Sequence, residues 1–304
     1  MLKIIMFQNV FLPLMMFHPC VLSTNPLQTH LLGPGDQYMY KHTEDVYNHL
    51  IDLTNFTFLT NPTPCNDQLL LLVMVTSKWT HYERRRWIRE TWKAPWEWAR
   101  VIFLIGEPST SNAADLQSIR NESKHFGDIV LGNFVDVYFN VTYKHTMGLK
   151  WVAHHCPVAK YILKLDDDVE VRPAEFREFL GQRLSPWGAR RLIVCNCYVN
   201  QVLQSKYKMF VNQYCGNGAL CPGWVMLYSQ DAVQDVLKVI QSLPYSRLDD
   251  IHITLTCAAI LGIPKIPLNY LERSWRMRFK PDTLINSFPW PVNRENHYIF
   301  RLLH

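Results

Sequence analysis

The sequence lacks three features that mark common classes of protein. It has no glycine-rich dinucleotide motif and no phosphate-binding P-loop, so a phosphate-bearing ligand would have to be held by a metal ion and arginines. It has no large charge excess, because 31 Lys and Arg stand against 26 Asp and Glu, and a net charge of +5 does not indicate nucleic acid as the partner. Its eight cysteines form no pair of CxxC motifs, which favours disulfides over structural zinc and leaves their pairing open.

Short apolar runs alternate with helix-like stretches through the body of the chain. With 304 residues, 48% of them apolar, the chain can bury one substantial core. The apolar runs are Leu69–Thr76, Val101–Gly106, Tyr161–Leu165 and Leu192–Cys195, and the helix-like stretches are residues 115–126 and 143–155. The alternation predicts an α/β fold with a central, mainly parallel sheet, whose ligands lie beyond the carboxyl ends of the strands.

The N-terminal region is of a different kind. An apolar run from Ile4 to Leu22 is close to the roughly 20 residues that span a membrane. No clean small-x-small site follows it, so we predict that residues 1–24 form a signal anchor, with a cleaved signal peptide as the alternative. Residues 25–66 are polar and turn-rich and are predicted to be a stem or linker before the domain at residues 67–304.

Three acceptor sequons for N-glycosylation lie in the body, at Asn55, Asn121 and Asn140. Each triplet alone is a weak signal because such triplets arise by chance. Together with the apolar N-terminal run they favour a body that faces the lumen of the secretory pathway.

Three adjacent carboxylates, Asp166, Asp167 and Asp168, follow the apolar strand that ends at Leu165. Two unit charges about 4 Å apart repel by roughly 4 kcal/mol at an effective dielectric near 20, so the cluster favours a bound cation. Oxygen ligands suit Mg²⁺ or Mn²⁺, and alternation places Asp166 and Asp168 on the same side. A solvated acidic turn is the alternative, and the position at a buried strand end argues for the metal site.

A basic segment lies shortly after the first apolar run. If it is helical, Arg85 and Arg89 share one face, where their planar guanidiniums can bind phosphate or clamp an acidic segment. The third alternative is a basic helix whose arginines are exposed to solvent and have no specific partner.

Two further segments are candidates for the chemistry. Asp249 and Asp250 precede an apolar helical stretch, so either carboxylate can cap the helix or serve as a general base for an acceptor hydroxyl. In the segment from Cys215, Gly223 and Trp224 can line a sugar pocket, or the segment can be a disulfide-stapled loop.

Taken together, these segments resemble the beta-1,3-galactosyltransferase family, also called glycosyltransferase family 31, over roughly Leu69–Pro267. The resemblance rests on RxxIRxTW from Arg85, NVTYK ending at Lys144, KLDDDV from Lys164, CPGW ending at Trp224, and DDI from Asp249. It implies that Asp168 is the metal ligand, Asp250 the catalytic base, and Arg85, Arg89, Lys144 and Asp167 donor-binding residues, while Gly223, Trp224 and Asp249 lie on the acceptor side.

The resemblance implies an inverting hexosyltransferase with a GT-A type fold that uses Mn²⁺ and moves galactose from UDP-galactose in beta-1,3 linkage to a glycoprotein or glycolipid glycan. UDP-N-acetylglucosamine is the alternative donor. The expected location is the Golgi membrane, as a single-pass type II protein with its catalytic domain in the lumen. The family places a histidine some two dozen residues after the base, and Asn269–Lys280 contains none, which keeps a non-catalytic sugar-binding or partner-binding relative as the rival hypothesis. A soluble phosphate-ester hydrolase is a third hypothesis, which the apolar run and the sequons oppose.

Overall fold

The computed structural model describes residues 30–36, 45–93, 97–110, 112–195, 221–267 and 285–287. The strands are β1 (His30–Leu31), β2 (Phe58–Thr60), β3 (Leu69–Thr76), β4 (Ala99–Glu107), β5 (Ile129–Val135), β6 (Ala159–Asp166), β7 (Val169–Val171), β8 (Ala189–Arg190), β9 (Ile193–Cys195), β10 (Val225–Ser229), β11 (Lys265–Pro267) and β12 (Ile285–Ser287). The helices are α1 (Tyr82–Thr91), α2 (Ala113–Phe126), α3 (Val141–His155), α4 (Pro173–Arg183), α5 (Gln230–Ile240) and α6 (Ala258–Leu261). A 3₁₀ turn at Tyr138–Asn140 precedes α3, and a π-helical segment at Ile251–Cys257 precedes α6.

Eight strands form the central sheet in the order β11-β9-β10-β6-β3-β4-β5-β2. Strand β3 lies between β6 and β4 and is parallel to both, and β4 is parallel to β5. The predicted α/β fold with a mainly parallel sheet is confirmed. One element was missed: β10 runs antiparallel between β6 and β9, so it separates the strand predicted at Leu192–Cys195 from the parallel strands, although that strand runs in the same direction as β6. A five-residue apolar run such as Val225–Ser229 carries no signal of strand direction, so the sequence could not place β10.

The core has two halves because residues on β3, β4 and β6 alternate between the faces of the sheet. On one face Met74 and Leu104 pack with Met147 and Trp151 of α3, and α5 joins them. On the other face Val73, Phe103 and Leu163 pack with α1, α2 and α4. Both faces of the parallel strands are therefore covered, as their continuous apolar sequences predict.

Part of the segment predicted to be a stem packs onto the domain. Leu50 and Phe56 are fully buried in the core, and β2 pairs with β5 at the edge of the sheet. Buried Lys150 on α3 binds Asp45. Isolated apolar residues in a turn-rich sequence have no period, so their burial could be recognised only from the tertiary structure.

No helix among the described residues is both long and apolar enough to cross a bilayer. The predicted signal anchor at residues 1–24 lies outside the described residues.

Two disulfides join described residues, Cys65–Cys156 and Cys195–Cys221. The expectation of disulfides is confirmed, and the sequence alone could not assign these pairs. The first ties the segment before β3 to the end of α3, and the second ties β9 to the loop before β10. Cys257 is a buried free thiol.

Gly106 in β4 provides a stability test. A Cβ atom there would lie 2.6 Å from the carbonyl oxygen of Phe134, which is main chain and cannot rotate away. We expect Gly106→Ala to lower the free energy of unfolding by about 1–3 kcal/mol through overpacking. The control is Gly181→Ala at an exposed position of α4, where nothing lies within 4 Å and alanine should stabilise the protein by about 0.5–1 kcal/mol. Urea denaturation of both variants measures this, and equal midpoints would contradict it.

Candidate active site

The acidic motif lies at the carboxyl edge of the sheet, where β3 and β6 end side by side. Thr76 pairs with Asp166 in the parallel ladder, and the backbone N–H of Asp167 donates to the Thr76 carbonyl oxygen at 3.1 Å. The loop after Thr76 and the turn after Leu165 therefore meet, as predicted for a site beyond the strand ends.

Asp167 is the buried anchor of this motif. Its carboxylate accepts hydrogen bonds from Ser77 Oγ at 2.7 Å, His81 Nδ1 at 2.8 Å and Arg84 Nη1 at 2.7 Å. Burial opposes its ionisation, but the His81 hydrogen bond and the positive groups around it outweigh that effect and lower the pKa of Asp167. With both oxygens bonded to the protein, Asp167 orients the turn rather than offering a free ligand.

Asp166 and Asp168 are the open carboxylates of the motif. The side chain of Asp168 is 58% exposed, and the nearest cation among the described residues is Arg84 Nη1 at 3.6 Å. Asp166 is 37% exposed and accepts from Lys164 Nζ at 2.6 Å. Burial of its inner side raises the pKa of Asp166 to about 6, with further contributions from the charges of Asp249 and Asp168 and against the effect of Lys164.

The donor set fits a weakly held divalent ion. Among the described residues, no group of three or more His, Cys, Asp or Glu side chains is arranged to hold a metal by itself. Mg²⁺ and Mn²⁺ in phosphate-transfer sites are usually bound by one or two carboxylates together with substrate phosphates. An exposed Asp168 with Asp166 beside it meets that requirement. The segment Asn269–Lys280, in which the family's histidine was sought, lies outside the described residues.

Buried Lys164 connects the acidic motif to a second pair of carboxylates. Its ammonium donates to Asp166 and to the carbonyl oxygen of Gly223 and lies 3.9 Å from Asp249 Oδ2. Burial disfavours its charge, but the carboxylates of Asp166 and Asp249 outweigh burial and raise the pKa of Lys164. One fixed positive charge thus joins two acidic segments that are some eighty residues apart in the chain.

Asp249 is held in place by buried polar side chains that contact one another in series. It is 6% exposed, and its Oδ2 lies 2.7 Å from Nδ1 of the fully buried His145 on α3, whose Nε2 is 3.3 Å from the Tyr228 hydroxyl. Burial lowers the pKa of His145, so the neutral imidazole donates from Nδ1 to Asp249. Burial opposes ionisation of Asp249 too, but Lys164 and His145 outweigh it and lower the pKa of Asp249. Asp249 is thus held by His145 and Lys164, and the residue that caps the helix is Asp250.

Asp250 is the more accessible member of the pair. It starts the π-helical segment, and its Oδ1 accepts from the N–H of Ile251 at 2.7 Å, so it does cap the helix. Burial and the neighbouring Asp249 charge raise the pKa of Asp250 to about 6. A partly exposed carboxylate with a raised pKa is suited to general-base chemistry near neutral pH.

Gly223 and Trp224 lie beside these carboxylates. A Cβ atom on Gly223 would be 3.2 Å from Asp249 Oδ1 and 3.6 Å from Asp250 Cβ, and the Trp224 carbonyl oxygen accepts from the N–H of Asp166 at 3.1 Å. The disulfide of Cys221 holds the same short loop. The described part of this segment is therefore held by a disulfide, as one interpretation predicted, and it lies next to the carboxylates, while its role in lining a sugar pocket stays a prediction.

Arg85 and Arg89 share the inward face of α1 and clamp an acidic segment. Arg85 is 1% exposed and donates to both Glu122 oxygens, while Arg89 binds Glu122 and Asp128. Arg85 also donates to Ser77 Oγ at 3.1 Å, which connects this clamp to the anchor of Asp167. Of the three predictions for this helix, the clamp on an acidic segment is the one that the structure shows. Donor binding by either arginine stays a prediction.

Lys144 and the sequon asparagines complete the predicted set. The buried Lys144 ammonium donates to Asp136 Oδ1 at 2.6 Å and to the Ser77 carbonyl oxygen at 2.7 Å, so it supports the loop after β3, and its donor-binding role stays a prediction. Asn55 and Asn121 are exposed, and Asn140 is half-buried, with its amide donating to the Val135 carbonyl oxygen.

The sequence did not reveal the buried or partly buried side chains that bind and orient the carboxylates of the site. Lys164 lies in the quoted acidic motif, but nothing local shows that its ammonium turns towards Asp249. His145 is one of 12 histidines, and only its burial in α3 distinguishes it. His81 and Arg84 precede or lie in the basic segment, where the four-residue spacing drew attention to Arg85 and Arg89.

Residues 83–269 of the chain match the sequence model of the protein family described as galactosyltransferase.

Two similar proteins are named for the transfer of different sugars. Human beta-1,3-galactosyltransferase 5 is 30% identical over 203 residues, covering 64% of this chain and 64% of the relative. A mouse UDP-GlcNAc:betaGal beta-1,3-N-acetylglucosaminyltransferase 7 is 36% identical over 226 residues, covering 67% of this chain and 54% of the relative. The chain thus spans about half to two thirds of the length of these relatives.

Solved structures give only distant likenesses. A mannosyltransferase from Pyrobaculum calidifontis in complex with GDP-mannose and Mn²⁺ has a TM-score of 0.37 and 13% identity, covering 69% of this chain and 57% of that chain. An active-site mutant of LgtC has a TM-score of 0.39 and 10% identity, covering 72% of this chain and 88% of that chain.

Proposed function

Because the chain belongs to the galactosyltransferase family, we propose that it is an inverting beta-1,3-hexosyltransferase that moves a sugar from a UDP-sugar to a glycan acceptor. The observation that carries the proposal is the meeting of the Asp166–Asp168 motif with Asp249 and Asp250 around Lys164 at the carboxyl edge of the sheet. UDP-galactose is the proposed donor and UDP-N-acetylglucosamine the alternative, since relatives with both activities in their names match the chain.

The proposed reaction is a single displacement at the anomeric carbon. Asp250 takes the proton of the acceptor hydroxyl while that oxygen attacks, and the bond from the anomeric carbon to the diphosphate breaks, so the linkage is inverted. Asp168, with Asp166 beside it, would hold Mn²⁺, which supplies Lewis-acid stabilisation to the departing UDP. Asp249, fixed by His145, keeps Asp250 and Gly223 in position on the acceptor side.

The proposed setting is the Golgi lumen. The signal anchor at residues 1–24 would make the chain a type II membrane protein with its catalytic domain in the lumen and its acceptor on a glycoprotein or glycolipid. The disulfides Cys65–Cys156 and Cys195–Cys221 support an oxidising compartment, because disulfides persist there and are rare in the cytosol.

The deciding experiment is UDP release by the protein made in a secretory host, with UDP-galactose or UDP-N-acetylglucosamine, a mixture of glycan acceptors, and Mn²⁺ or EDTA. We expect Mn²⁺-dependent release from one donor and a loss of about a hundredfold or more in Asp168→Asn, because the exposed metal carboxylate is removed. The matched control is Asp67→Asn, an exposed aspartate at the amino end of β3.

A second readout separates binding from turnover. UDP with Mn²⁺ should raise the melting temperature of the wild type, since a ligand that binds only the folded state stabilises it, and Asp168→Asn should lose this shift. A folded wild type that is neither stabilised nor active with either donor would contradict the proposal and favour the non-catalytic alternative.

A further inference from the structure

A group of side chains, most of them exposed, precedes or packs against the segment that carries Asp249 and Asp250 and has no part in the chemistry described above. It consists of Tyr138 and Phe139 on the 3₁₀ turn before α3, together with Tyr245, Arg247 and Leu248, and is called the aromatic platform below. Phe139 is 57% exposed, and Tyr138 and Leu248 are exposed too. Exposed apolar side chains that are clustered mark binding surfaces more often than isolated ones do.

The aromatic platform is held in place although solvent reaches it. The Tyr245 hydroxyl donates to the carbonyl oxygen of Phe139, and the Tyr245 ring stacks on Tyr143 of α3 with a centroid distance of 4.3 Å. The Arg247 guanidinium lies 5.1 Å from the centroid of the Phe139 ring. Rings fixed in this way lose little conformational entropy when a ligand covers them.

The position of the aromatic platform relates it to the proposed base. Arg247 and Leu248 immediately precede Asp249 and Asp250, and three residues of chain span at most about 11 Å. The Phe139 ring lies against the Arg247 guanidinium of this same segment, so it is within a few sugar units of Asp250.

The chemistry of the aromatic platform matches carbohydrate. The C–H face of a pyranose ring is weakly positive and packs on the negative face of an aromatic ring. The guanidinium of Arg247 can donate to sugar hydroxyls at the edge of that ring. Since Arg247 directly precedes the carboxylate pair in the chain and contacts the Phe139 ring, the occupant that this chemistry favours is a glycan that also reaches Asp250.

We propose that the aromatic platform is an acceptor subsite that binds a sugar unit of the acceptor glycan beyond the unit that receives the transferred hexose, with Phe139 as the stacking face and Arg247 as the hydrogen-bond donor. This rests on the proposed function, and it adds that the enzyme selects oligosaccharide acceptors over monosaccharides.

The test measures glycan binding without turnover. The probes are two neutral oligosaccharides, a tetrasaccharide ending in galactose and a trisaccharide ending in N-acetylglucosamine, titrated calorimetrically into the full protein with UDP and Mn²⁺. We expect Phe139→Ala and Arg247→Ala each to weaken binding of the oligosaccharide that the wild type binds by about tenfold, the first by losing a buried aromatic contact and the second by losing a charged hydrogen-bond donor. The affinity for UDP should not change.

Trp187→Ala is the matched control. Trp187 is also an exposed ring paired with a cation, since Lys160 Nζ lies 5.4 Å from its centroid, but Lys160 is at the opposite end of β6 from Asp166. This variant should bind the oligosaccharide as the wild type does. Unchanged oligosaccharide affinity in Phe139→Ala, or a wild type that binds neither probe, would overturn the proposal and leave the platform to a protein partner.

Failure of the subsite and failure of the proposed function give different results. If the wild type transfers sugar and the acceptor KM of Phe139→Ala equals that of the wild type, only the subsite is wrong. If the wild type binds an oligosaccharide through Phe139 but releases no UDP from any donor, the platform binds glycan but is not an acceptor subsite, and the enzymatic function is wrong.

Discussion

Replacing Asp250 by Asn is expected to lower kcat for sugar transfer by about 10²- to 10⁴-fold in a protein that remains folded, because the amide cannot take the proton of the acceptor hydroxyl. Asn keeps the carbonyl oxygen that caps the π-helical segment, so the hydrogen bond from Ile251 is preserved. It also removes a carboxylate that burial and Asp249 make costly to ionise, so stability should not fall.

The pH profile provides the specific test of this role. Because the pKa of Asp250 is raised to about 6 and the base must be ionised, kcat/KM of the wild type should fall about tenfold per pH unit below that value. The residual activity of Asp250→Asn should lack this acidic limb. Asp67→Asn is the control and should follow the wild type. An Asp250→Asn variant that keeps more than a tenth of the activity, or the same acidic limb, would exclude Asp250 as the base.

Replacing Glu122 by Gln is expected to lower the free energy of unfolding by about 3–5 kcal/mol, because it leaves the buried Arg85 guanidinium without its counter-charge. Glu122 accepts three hydrogen bonds from Arg85 and Arg89, at 2.7 to 2.9 Å. Its removal should also loosen Ser77, since Arg85 donates to the Ser77 hydroxyl that anchors Asp167. Urea denaturation at pH 7 measures the first effect.

The pH dependence and a surface control distinguish this clamp from a general loss of charge. Burial opposes ionisation of Glu122, but the two arginines outweigh it and lower the pKa of Glu122. Its stabilising effect is therefore present above the usual glutamate pKa and is lost as the pH falls through the lowered value. Glu90→Gln, which removes an exposed partner of Lys93, should change stability by less than about 0.5 kcal/mol. Equal effects of Glu122→Gln and Glu90→Gln would show that the clamp is not stabilising.

The two predictions concern different properties: Asp250→Asn changes catalysis, whereas Glu122→Gln changes the stability of the fold. Asp250 lies at the surface of the site and contributes to the reaction, whereas Glu122 lies beneath α1 and contributes to the position of the loop after β3. A variant of Arg85 or Arg89 that lost activity would therefore have to be tested for folding before a donor-binding role could be concluded.

The sequence by itself determined the framework and the chemistry-bearing residues. Continuous apolar runs such as Leu69–Thr76 can be satisfied only by burial on both faces, which implies a parallel sheet with helices on each side. Carboxylates that follow such a strand must emerge at its carboxyl end, so the order of residues alone places Asp166 and Asp168 there. Local patterns determine such features because the strand and the turn are adjacent in the chain.

Only the tertiary structure decided which distant groups meet. Neither the antiparallel direction of β10 nor the packing of Leu50 and Phe56 leaves a local pattern, because both depend on partners far along the chain. The same holds for the link through Lys164 and for the support of Asp249 by His145, 104 residues earlier. Arg85 shows the reverse case: its spacing was read correctly, but Glu122 on another helix determined what the guanidinium binds.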